Sequence, residues 1–455
     1  MAIFEIVNQL NRGATLITAR GEREQLAELN LLAGKRARAS TAYASALNYL
    51  VAGAARLPQD SWERRHELTF ELELLRAECE FVTGALAEAE ERLAALSTRA
   101  ATTVQRATVA CLRVDLYMTI DQSDRAVAVG LDYLRHLGID WSPQPTKAEA
   151  SREYERIWSQ LGSRTIEELS ELPLMSDPES LATVDLLIRI AVPAFFRSSY
   201  LFSLATCRAV NLSLKHGNRD AACSAYELFG MFAGPLFGNY DAGFRFGRLG
   251  CELVERRPEL KRFQARTLEN FGFVVAWTRH VRIGGDLLRR AFEIANRVGD
   301  LTYAGLARAQ LNANLLFAGD ALVEAQREAE SGLEFAQKLR FGVVVCWITG
   351  QLGLIRSLRG LTAKFGSFDD GRFDEREFQS HLGSQSALAL PECWYWIRKL
   401  QAHFLAGDYA AAVDASSKAQ PLLSTSMSLL ETAEYHFYGA LSRAVSWDIG
   451  AAGDR

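Results

Sequence analysis

Apolar residues recur at intervals of three and four along most of the chain, the spacing that places them on one face of a helix. Between Trp62 and Thr83 one such stripe is interleaved with glutamates and arginines. The stripe consists of Leu68, Leu72, Leu75, Cys79 and Val82. The sequence offers no convincing alternation of apolar β-branched and polar residues bounded by hairpin turns. The pattern therefore predicts an all-α fold.

Turn dipeptides add a longer period to this pattern. A glycine followed by asparagine or aspartate occurs at Gly217, Gly238, Gly299, Gly319 and Gly407. The glycine suits the left-handed end of one helix, and the residue after it can cap the next helix. Gly217, Pro258, Gly299 and Phe341 are separated by 41, 41 and 42 residues, and each interval is divided near its middle. Stacked hairpins of this kind predict a right-handed α-solenoid of about ten tetratricopeptide-like hairpins.

Prolines and breaks in the period divide the chain into four predicted segments. They are an N-terminal helical-repeat array at 1–140, a joint or insertion at 141–178, a C-terminal array with a period of about 41 residues at 179–445, and an irregular tail at 446–455. Inside the joint, prolines flank one helix that Thr146 and Glu149 are placed to cap. The polar, glycine-containing stretch 362–386 is predicted to be an exposed loop.

Composition and charge narrow the class of function. The 455 residues include 51 basic and 55 acidic side chains, so the net charge of −4 favours neither nucleic acid nor an anionic membrane as a partner. Seven widely spaced cysteines contain no CxxC pair, which suits reduced, buried thiols. A basic signal-peptide start and a long apolar run are both missing from the sequence. We therefore expect a cytoplasmic protein that does not insert into membranes.

Candidate chemistry is sparse. The phosphate-binding GxxxxGK[ST] loop and the paired HRD and DFG motifs of protein kinases do not occur. Asp369, Asp370 and Asp374 could hold a divalent cation, but nearby glycines favour a solvated loop. The aromatic run 394–396 is interpreted as helix packing rather than a ligand cage. The sequence predicts no catalytic, metal or cofactor site, and the chain is expected not to be an enzyme.

The strongest binding candidate is a groove lined by the first helices of the C-terminal hairpins. Arg266 and Asn270 stand four residues apart on one predicted helix, Arg308 and Asn312 stand four apart on the next, and Gln351 has a comparable place on the third. Arginine and asparagine offer several donors for a peptide backbone or a carboxylate. The alternative interpretation is a solvated outer face on which these side chains support their own helices.

Five segments also resemble a known family of proteins. They are FEIVNQLNRG at 4–13, LRVDLYMTIDQSDRAVAVGLDYLRHLGIDWSP at 112–143, AWTRHVRIGGDLLRRAFE at 276–293, CWYWIRKLQAHFLAGDYAAAV at 393–413 and ETAEYHFYGALSRA at 431–444. They resemble the tetratricopeptide-like helical region of bacterial multidomain signalling proteins. Those proteins join a serine/threonine-kinase-like domain, a predicted ATPase module, the helical array, a GAF sensor domain and a histidine kinase. The tail at 446–455 departs from the amphipathic pattern, as expected of a fragment or truncated product of such a protein.

The resemblance implies a scaffold or regulatory region that makes protein–protein or interdomain contacts within an ATPase/kinase signalling system. Its expected partners are a separate protein or flanking kinase, ATPase and sensor domains. One alternative is a small-molecule-sensing helical-repeat domain, for which a closed apolar cavity would be the signature. The other is an α-helical enzyme, which would need convergent carboxylates or histidines inside a cavity.

Overall fold

The computed structural model describes residues 2–385 and 388–453 of the chain. Within these ranges it contains 22 α-helices and no β-strand, which confirms the all-α prediction. The helices are α1 Ala2–Arg12, α2 Arg20–Ala39, α3 Tyr43–Ala54, α4 Ser61–Arg64, α5 His66–Val82, α6 Leu86–Arg99, α7 Thr103–Thr119, α8 Ser123–His136, α9 Lys147–Leu161, α10 Pro178–Arg197, α11 Ser199–His216, α12 Asp220–Phe237, α13 Tyr240–Arg256, α14 Gln264–Val274, α15 Arg282–Val298, α16 Leu301–Phe317, α17 Leu322–Lys338, α18 Gly342–Leu358, α19 Glu375–Gly383, α20 Ala389–Leu405, α21 Tyr409–Ala419 and α22 Leu430–Gly453.

The predicted glycine turns join these helices. Gly217, Gly238, Gly299, Gly319 and Gly407 all have positive φ angles. After three of them, the following side chain caps the next helix: Asn239, Asp300 and Asp408 each accept a hydrogen bond from the backbone N–H three residues on. The residue pair that ends one helix therefore begins the next, as the sequence pattern indicates.

The chain divides into two compact units, and the first consists of residues 1–143 and 177–194. Its hairpins α2–α3, α5–α6 and α7–α8 are followed by the first part of α10. Gly130 of α8 allows that helix to approach closely, because a Cβ at Gly130 would lie 2.3 Å from Ile190 Cγ2. Residues 179–194 thus belong with the N-terminal hairpins, whereas the sequence pattern assigned them to the C-terminal array. These residues cover the apolar face of α8, which would otherwise be exposed to water.

The second unit consists of residues 144–176 and 195–455. Hairpins α12–α13, α14–α15, α16–α17 and α20–α21 pack in sequence, and α18 packs between α17 and α20. Helix α9 packs on α11, and its predicted capping box is confirmed: the Thr146 side chain accepts from Glu149 N, and the Glu149 side chain accepts from Thr146 N. The core of the later hairpins contains Trp347 and Trp394, whose ring centroids are 4.2 Å apart.

The predicted joint is an integral part of the second unit. Its end forms a short parallel bridge to the α11–α12 turn, in which Asn218 N donates to Pro173 O at 2.8 Å and Met175 N donates to Asn218 O at 2.9 Å. The Asn218 side chain is buried and donates to Leu169 O at 2.8 Å. Gly217 makes this approach possible, because a Cβ there would lie 2.2 Å from Pro173 O.

Two predicted irregular segments contain helix. Helix α22 continues to Gly453, so most of the predicted tail 446–455 is helical, as its alanines favour. The predicted loop 362–386 contains α19, whose first backbone N–H groups donate hydrogen bonds to the Asp374 side chain. Ser386 lies outside the described residues. None of the helices in the described ranges is long and apolar enough to cross a membrane.

Candidate functional site

The first helices of four neighbouring repeats in the second unit carry a polar side chain at matching places. Glu227 of α12, Asn270 of α14, Asn312 of α16 and Gln351 of α18 follow one another at intervals of 43, 42 and 39 residues. Asn270 Nδ2 donates to Glu227 Oε2 at 3.0 Å, and Asn312 Nδ2 donates to Gln351 Oε1 at 2.7 Å. We call these four residues the polar ladder; it joins the first helices of neighbouring repeats in pairs.

The structure places two of the five predicted groove residues in the interior. Asn312 is 0% exposed and Gln351 is 2% exposed. Gln351 Nε2 also donates to Ala309 O at 3.2 Å. The Asn312–Gln351 bond lies buried between α16 and α18, so the open-groove geometry predicted for these two residues is corrected. The physical reason is that the side of α16 that carries Asn312 faces the next first helix rather than solvent.

The other three predicted residues are partly exposed. Arg308 Nη1 lies 3.0 Å from Glu328 Oε1, so its charge is directed to the second helix of its own hairpin, α17. The Arg266 guanidinium lies 5.8 Å from the centroid of the Tyr303 ring, and its buried Nε has no hydrogen-bond partner in the described part of the chain. Arg266 and Asn270 of α14 therefore both act on Glu227, whereas Arg308 pairs with Glu328.

Two buried carboxyl groups surround Arg266. Burial raises the pKa of Glu227 well above its ordinary value of 4.5, although the Arg266 charge and the bond from Asn270 oppose the rise. Burial also raises the pKa of Glu269 to about 8, again against the Arg266 charge. Glu227 Oε1 accepts no hydrogen bond from the described residues. Both carboxyl groups thus favour the neutral form, because two buried carboxylates would be costly in the interior.

A second buried charge cluster fixes the last helix. Arg398 of α20 is 1% exposed, and its Nη2 lies 3.2 Å from Glu431 Oε1 of α22. Its Nη1 pairs with Glu434, whose other oxygen accepts from Gln401 Nε2 at 2.6 Å. Burial raises the pKa of Glu431 to about 7, and the Arg398 charge limits the rise. We call this set the Arg398 cluster.

The segment just before α22 crosses the second unit without forming an α-helix. We call residues 420–430, the last of which begins α22, the strap. It begins with the 3-10 helix Gln420–Ser426 and then turns through Ser428, whose φ angle is 73°. The Ser426 hydroxyl, which is buried, accepts a hydrogen bond from Trp394 Nε1 at 2.8 Å.

The strap reaches helices that lie far earlier in the chain. Trp277 Nε1 donates to Ser428 O at 2.7 Å, and the Ser428 hydroxyl donates to Met231 O, 197 positions away. Leu429 is 4% exposed, and together with Leu430 it lies against Phe273 of α14 and against α16. We call the receiving face the inner groove; its residues are Met231, Phe273, Trp277, Gln310 and Phe317.

Two of the larger cavities border described residues of the second unit. One, of about 780 Å³, borders the strap and is lined by aromatic and apolar side chains that include Tyr200, Tyr240, Trp277, Leu423 and Met427. The other, of about 530 Å³, lies between α17, α18 and the following loop, and its lining includes Phe368, Phe373, Phe378, Cys346 and Arg356. The first cavity shows that the strap occupies only part of the space along the groove.

The candidate cation-binding aspartates have partners within the protein, which are backbone N–H groups and an arginine. Asp369 Oδ1 accepts from Glu375 N at 2.8 Å, and Asp370 Oδ2 lies 3.0 Å from Arg356 Nη1. The described residues contain no group of three His, Cys, Asp or Glu side chains placed to hold a metal ion. The interpretation of Trp394 as packing is confirmed by its ring contact with Trp347 in the buried core.

These features define an all-α protein built of tetratricopeptide-like helical hairpins. No family model matches the chain. The hybrid signal transduction histidine kinase G of Dictyostelium discoideum is 23% identical over 367 residues, which cover 74% of this chain and 11% of that protein. The chain therefore spans only a small part of the length of this relative.

Solved structures with similar folds are distant. A signal transduction ATPase with numerous domains and a tetratricopeptide repeat sensor, from Pyrococcus horikoshii, has a TM-score of 0.42 at 12% identity over 84% of this chain and 52% of that one. The apo form of RapI has a TM-score of 0.39 at 12% identity over 77% of this chain and 99% of that one.

Sequence reasoning missed the strap and the Arg398 cluster. One signal for the cluster is available in the sequence: Arg398 stands on a helix whose other members include Trp394, Tyr395 and Ile397, so its neighbours are mostly apolar. An arginine in such surroundings requires a buried acid. The strap has no comparable local signal, since its partners are far away in the chain.

Proposed function

We propose that the chain is a non-catalytic scaffold or regulatory region that makes protein–protein or interdomain contacts in a signal-transduction ATPase/kinase system. The observation that carries the proposal is the strap in the inner groove. There the fold holds an irregular peptide through a tryptophan N–H on a backbone carbonyl, the Trp277–Ser428 bond of 2.7 Å. A surface that binds one irregular peptide in this way has the donors and the shape to bind another.

The signalling context draws its support from the sequence similarity. The 367 aligned residues belong to a histidine kinase of which they make up 11%. A helical array of that relative size suits a region that positions other domains, as solenoids do through their extended surfaces. Kinase and ATPase chemistry would then belong to flanking domains or to a separate partner, and this chain would supply geometry.

Within this proposal the predicted groove residues have different roles. Arg266 and Asn270 are partly exposed on the helix that leads to Trp277, and they remain candidate contacts for a partner. Arg308, Asn312 and Gln351 would hold the helices in register through their internal partners. A bound carboxylate could meet the unpartnered Arg266 Nε only if the helices around it moved apart.

Site-specific photo-crosslinking in the native host tests this proposal. Tyr240 borders the cavity beside the strap and is 39% exposed, so p-benzoylphenylalanine replaces it conservatively. Phe365, which is 42% exposed in the loop after α18, provides the matched aromatic control. We expect position 240, and not position 365, to cross-link to a domain that mass spectrometry identifies as a kinase, ATPase or sensor. Equal labelling from both positions, or partners without such domains, would contradict the proposal.

A second proposal, small-molecule sensing, draws on the cavity of about 780 Å³ beside the strap. Its volume falls within the range of roughly 300–1,000 Å³ that is usual for ligand sites. Half of its lining residues are aromatic or apolar and half are polar or charged. Native mass spectrometry of the chain purified from its host would reveal a retained ligand. A bound mass that Tyr240→Ala abolishes would favour sensing, and an unliganded mass would argue against it.

A further inference from the structure

The strap lies in the inner groove as a ligand that belongs to the same chain. We propose that the strap occupies a peptide-docking groove, and that a partner segment of similar chemistry displaces it. The partner fits if it carries two adjacent large aliphatic residues, a small residue before them and a carboxylate after them. This inference rests on the proposed function, for which it supplies the docking site, the chemistry of the partner and a means of regulation.

Ser428 is held by one bond to its backbone and one from its hydroxyl. Trp277 Nε1 donates to the carbonyl of Ser428, and the Ser428 hydroxyl donates in turn to the Met231 carbonyl. Every peptide has a carbonyl that could replace the first of these acceptors. The groove therefore selects for chain path and for a small hydroxyl residue, and it does not require the rest of this exact sequence.

Apolar side chains supply the selectivity. Leu429 is 4% exposed, and Leu430 beside it borders Phe273, Gln310 and Phe317. The residual cavity among these side chains is only about 20 Å³, so the leucine pair fills its site. A segment with smaller or charged residues at these two positions would leave a void or bury a charge.

The residue after the leucine pair adds a charge requirement. Glu431 is 1% exposed, and its Oε1 lies 3.2 Å from Arg398 Nη2. Displacing the strap moves Leu430, the residue just before Glu431 in this ion pair. An incoming segment with a carboxylate at the same place would again balance the charge of Arg398. Aliphatic, aliphatic, acidic is thus the pattern that the groove recognises.

Two features make the strap displaceable. Ser428 holds a left-handed conformation with φ of 73°, which an L-residue other than glycine adopts at a cost. The segment before it is a 3-10 helix, whose hydrogen-bond geometry is weaker than that of an α-helix. The cavity of about 780 Å³ next to Leu423 and Met427 leaves room for a competing segment to enter before the strap has left.

The test measures binding of the strap sequence in trans. A fluorescein-labelled peptide QPLLSTSMSLLETAE, which is residues 420–434, is titrated into the full chain and followed by fluorescence anisotropy. Ser428→Val forces a β-branched residue into the left-handed conformation and removes the hydroxyl. Ser424→Val makes the same change at an exposed position of the strap. We expect Ser428→Val to bind the peptide at least about tenfold more tightly than the wild type and Ser424→Val do.

Equal peptide affinity for all three proteins would overturn the inference, as would equal affinity for a peptide with aspartate at both leucine positions. Hydrogen exchange provides a second readout: amides 424–432 should exchange faster in Ser428→Val and slow again with saturating peptide. Unchanged exchange would also overturn it. If Ser428→Val unfolds, as circular dichroism would show, Leu429→Ala takes its place, because it weakens the strap and leaves the groove intact.

The outcomes also separate this inference from the proposed function. Peptide binding without a cross-linked signalling partner at position 240 would retain the groove and reject the signalling role. Cross-links to a signalling domain without peptide binding would retain the role and reject the strap as its competitor.

Discussion

Replacing Gly217 with alanine tests whether the segment before α10 is locked to the α11–α12 turn. Gly217 has φ of 106° and ψ of −179°, a region that is almost restricted to glycine. An added Cβ would lie 2.2 Å from Pro173 O and 3.1 Å from Met175 N. Because these neighbours are backbone atoms, they can yield only if the bridging segment moves away.

The expected loss of stability has two parts. The backbone conformation costs an L-residue about 1–3 kcal/mol. Displacing the segment also breaks the Asn218 N–Pro173 O bond of 2.8 Å and the Met175 N–Asn218 O bond of 2.9 Å, each worth about 1 kcal/mol net. We therefore expect Gly217→Ala to lower the free energy of unfolding by about 4 kcal/mol.

Gly299→Ala is the matched control. Gly299 ends α15 as Gly217 ends α11, with φ of 78° and ψ of 18°, but an added Cβ there meets no atom within 4 Å. Its cost is the left-handed conformation alone, about 1 kcal/mol. Urea unfolding followed by circular dichroism measures both variants, and hydrogen exchange of residues 169–176 locates the effect. Equal losses in the two variants, with unchanged exchange in 169–176, would refute the bridge.

Three further predictions concern buried polar groups. The pKa of Glu269, about 8 against 4.5, means that its stabilising contribution is complete below pH 4.5 and lost as pH rises through 8. Glu269→Gln should therefore reduce the difference in unfolding free energy between urea titrations at pH 6 and at pH 9 by about 3 kcal/mol. Arg398→Met leaves Glu431 and the partly exposed Glu434 without their cation and should cost about 3–5 kcal/mol in the same urea titrations; an unchanged free energy of unfolding would contradict the cluster. Asn312→Leu should cost about 1–3 kcal/mol, and adding Gln351→Leu should recover most of it; a double variant as unstable as the sum of the single ones would contradict the pairing.

The repeat was predictable because its signals are local. Gly299 and Asp300, for example, are adjacent in sequence, and the end of one helix and the cap of the next depend only on them. The capping box of Thr146 and Glu149 has the same character, since its members are only three positions apart. Such features are determined by backbone preference and short-range hydrogen bonds, which a single sequence contains in full.

The direction of polar side chains was harder to predict. Arg308 and Asn312 were correctly placed on one helical stripe, but a stripe does not reveal what it faces. Asn312 faces Gln351 of the next first helix, and Arg308 faces Glu328 of its own hairpin. The choice between solvent and a neighbouring helix depends on how the repeats stack, which sums many contacts between distant residues. The position of the strap was unpredictable for the same reason, since Ser428 and Met231 are 197 positions apart.

All seven cysteines are buried, so their thiols can report chemically on opening of the fold. Burial raises the pKa of Cys79 to about 11 and that of Cys393 to about 12, so the reactive thiolate is scarce in the native state. Alkylation then proceeds only through opening of the surrounding helices. Because Cys79 and Cys111 lie in the first unit and the other five in the second, timed alkylation followed by peptide mapping would show, without any engineered label, which unit opens first.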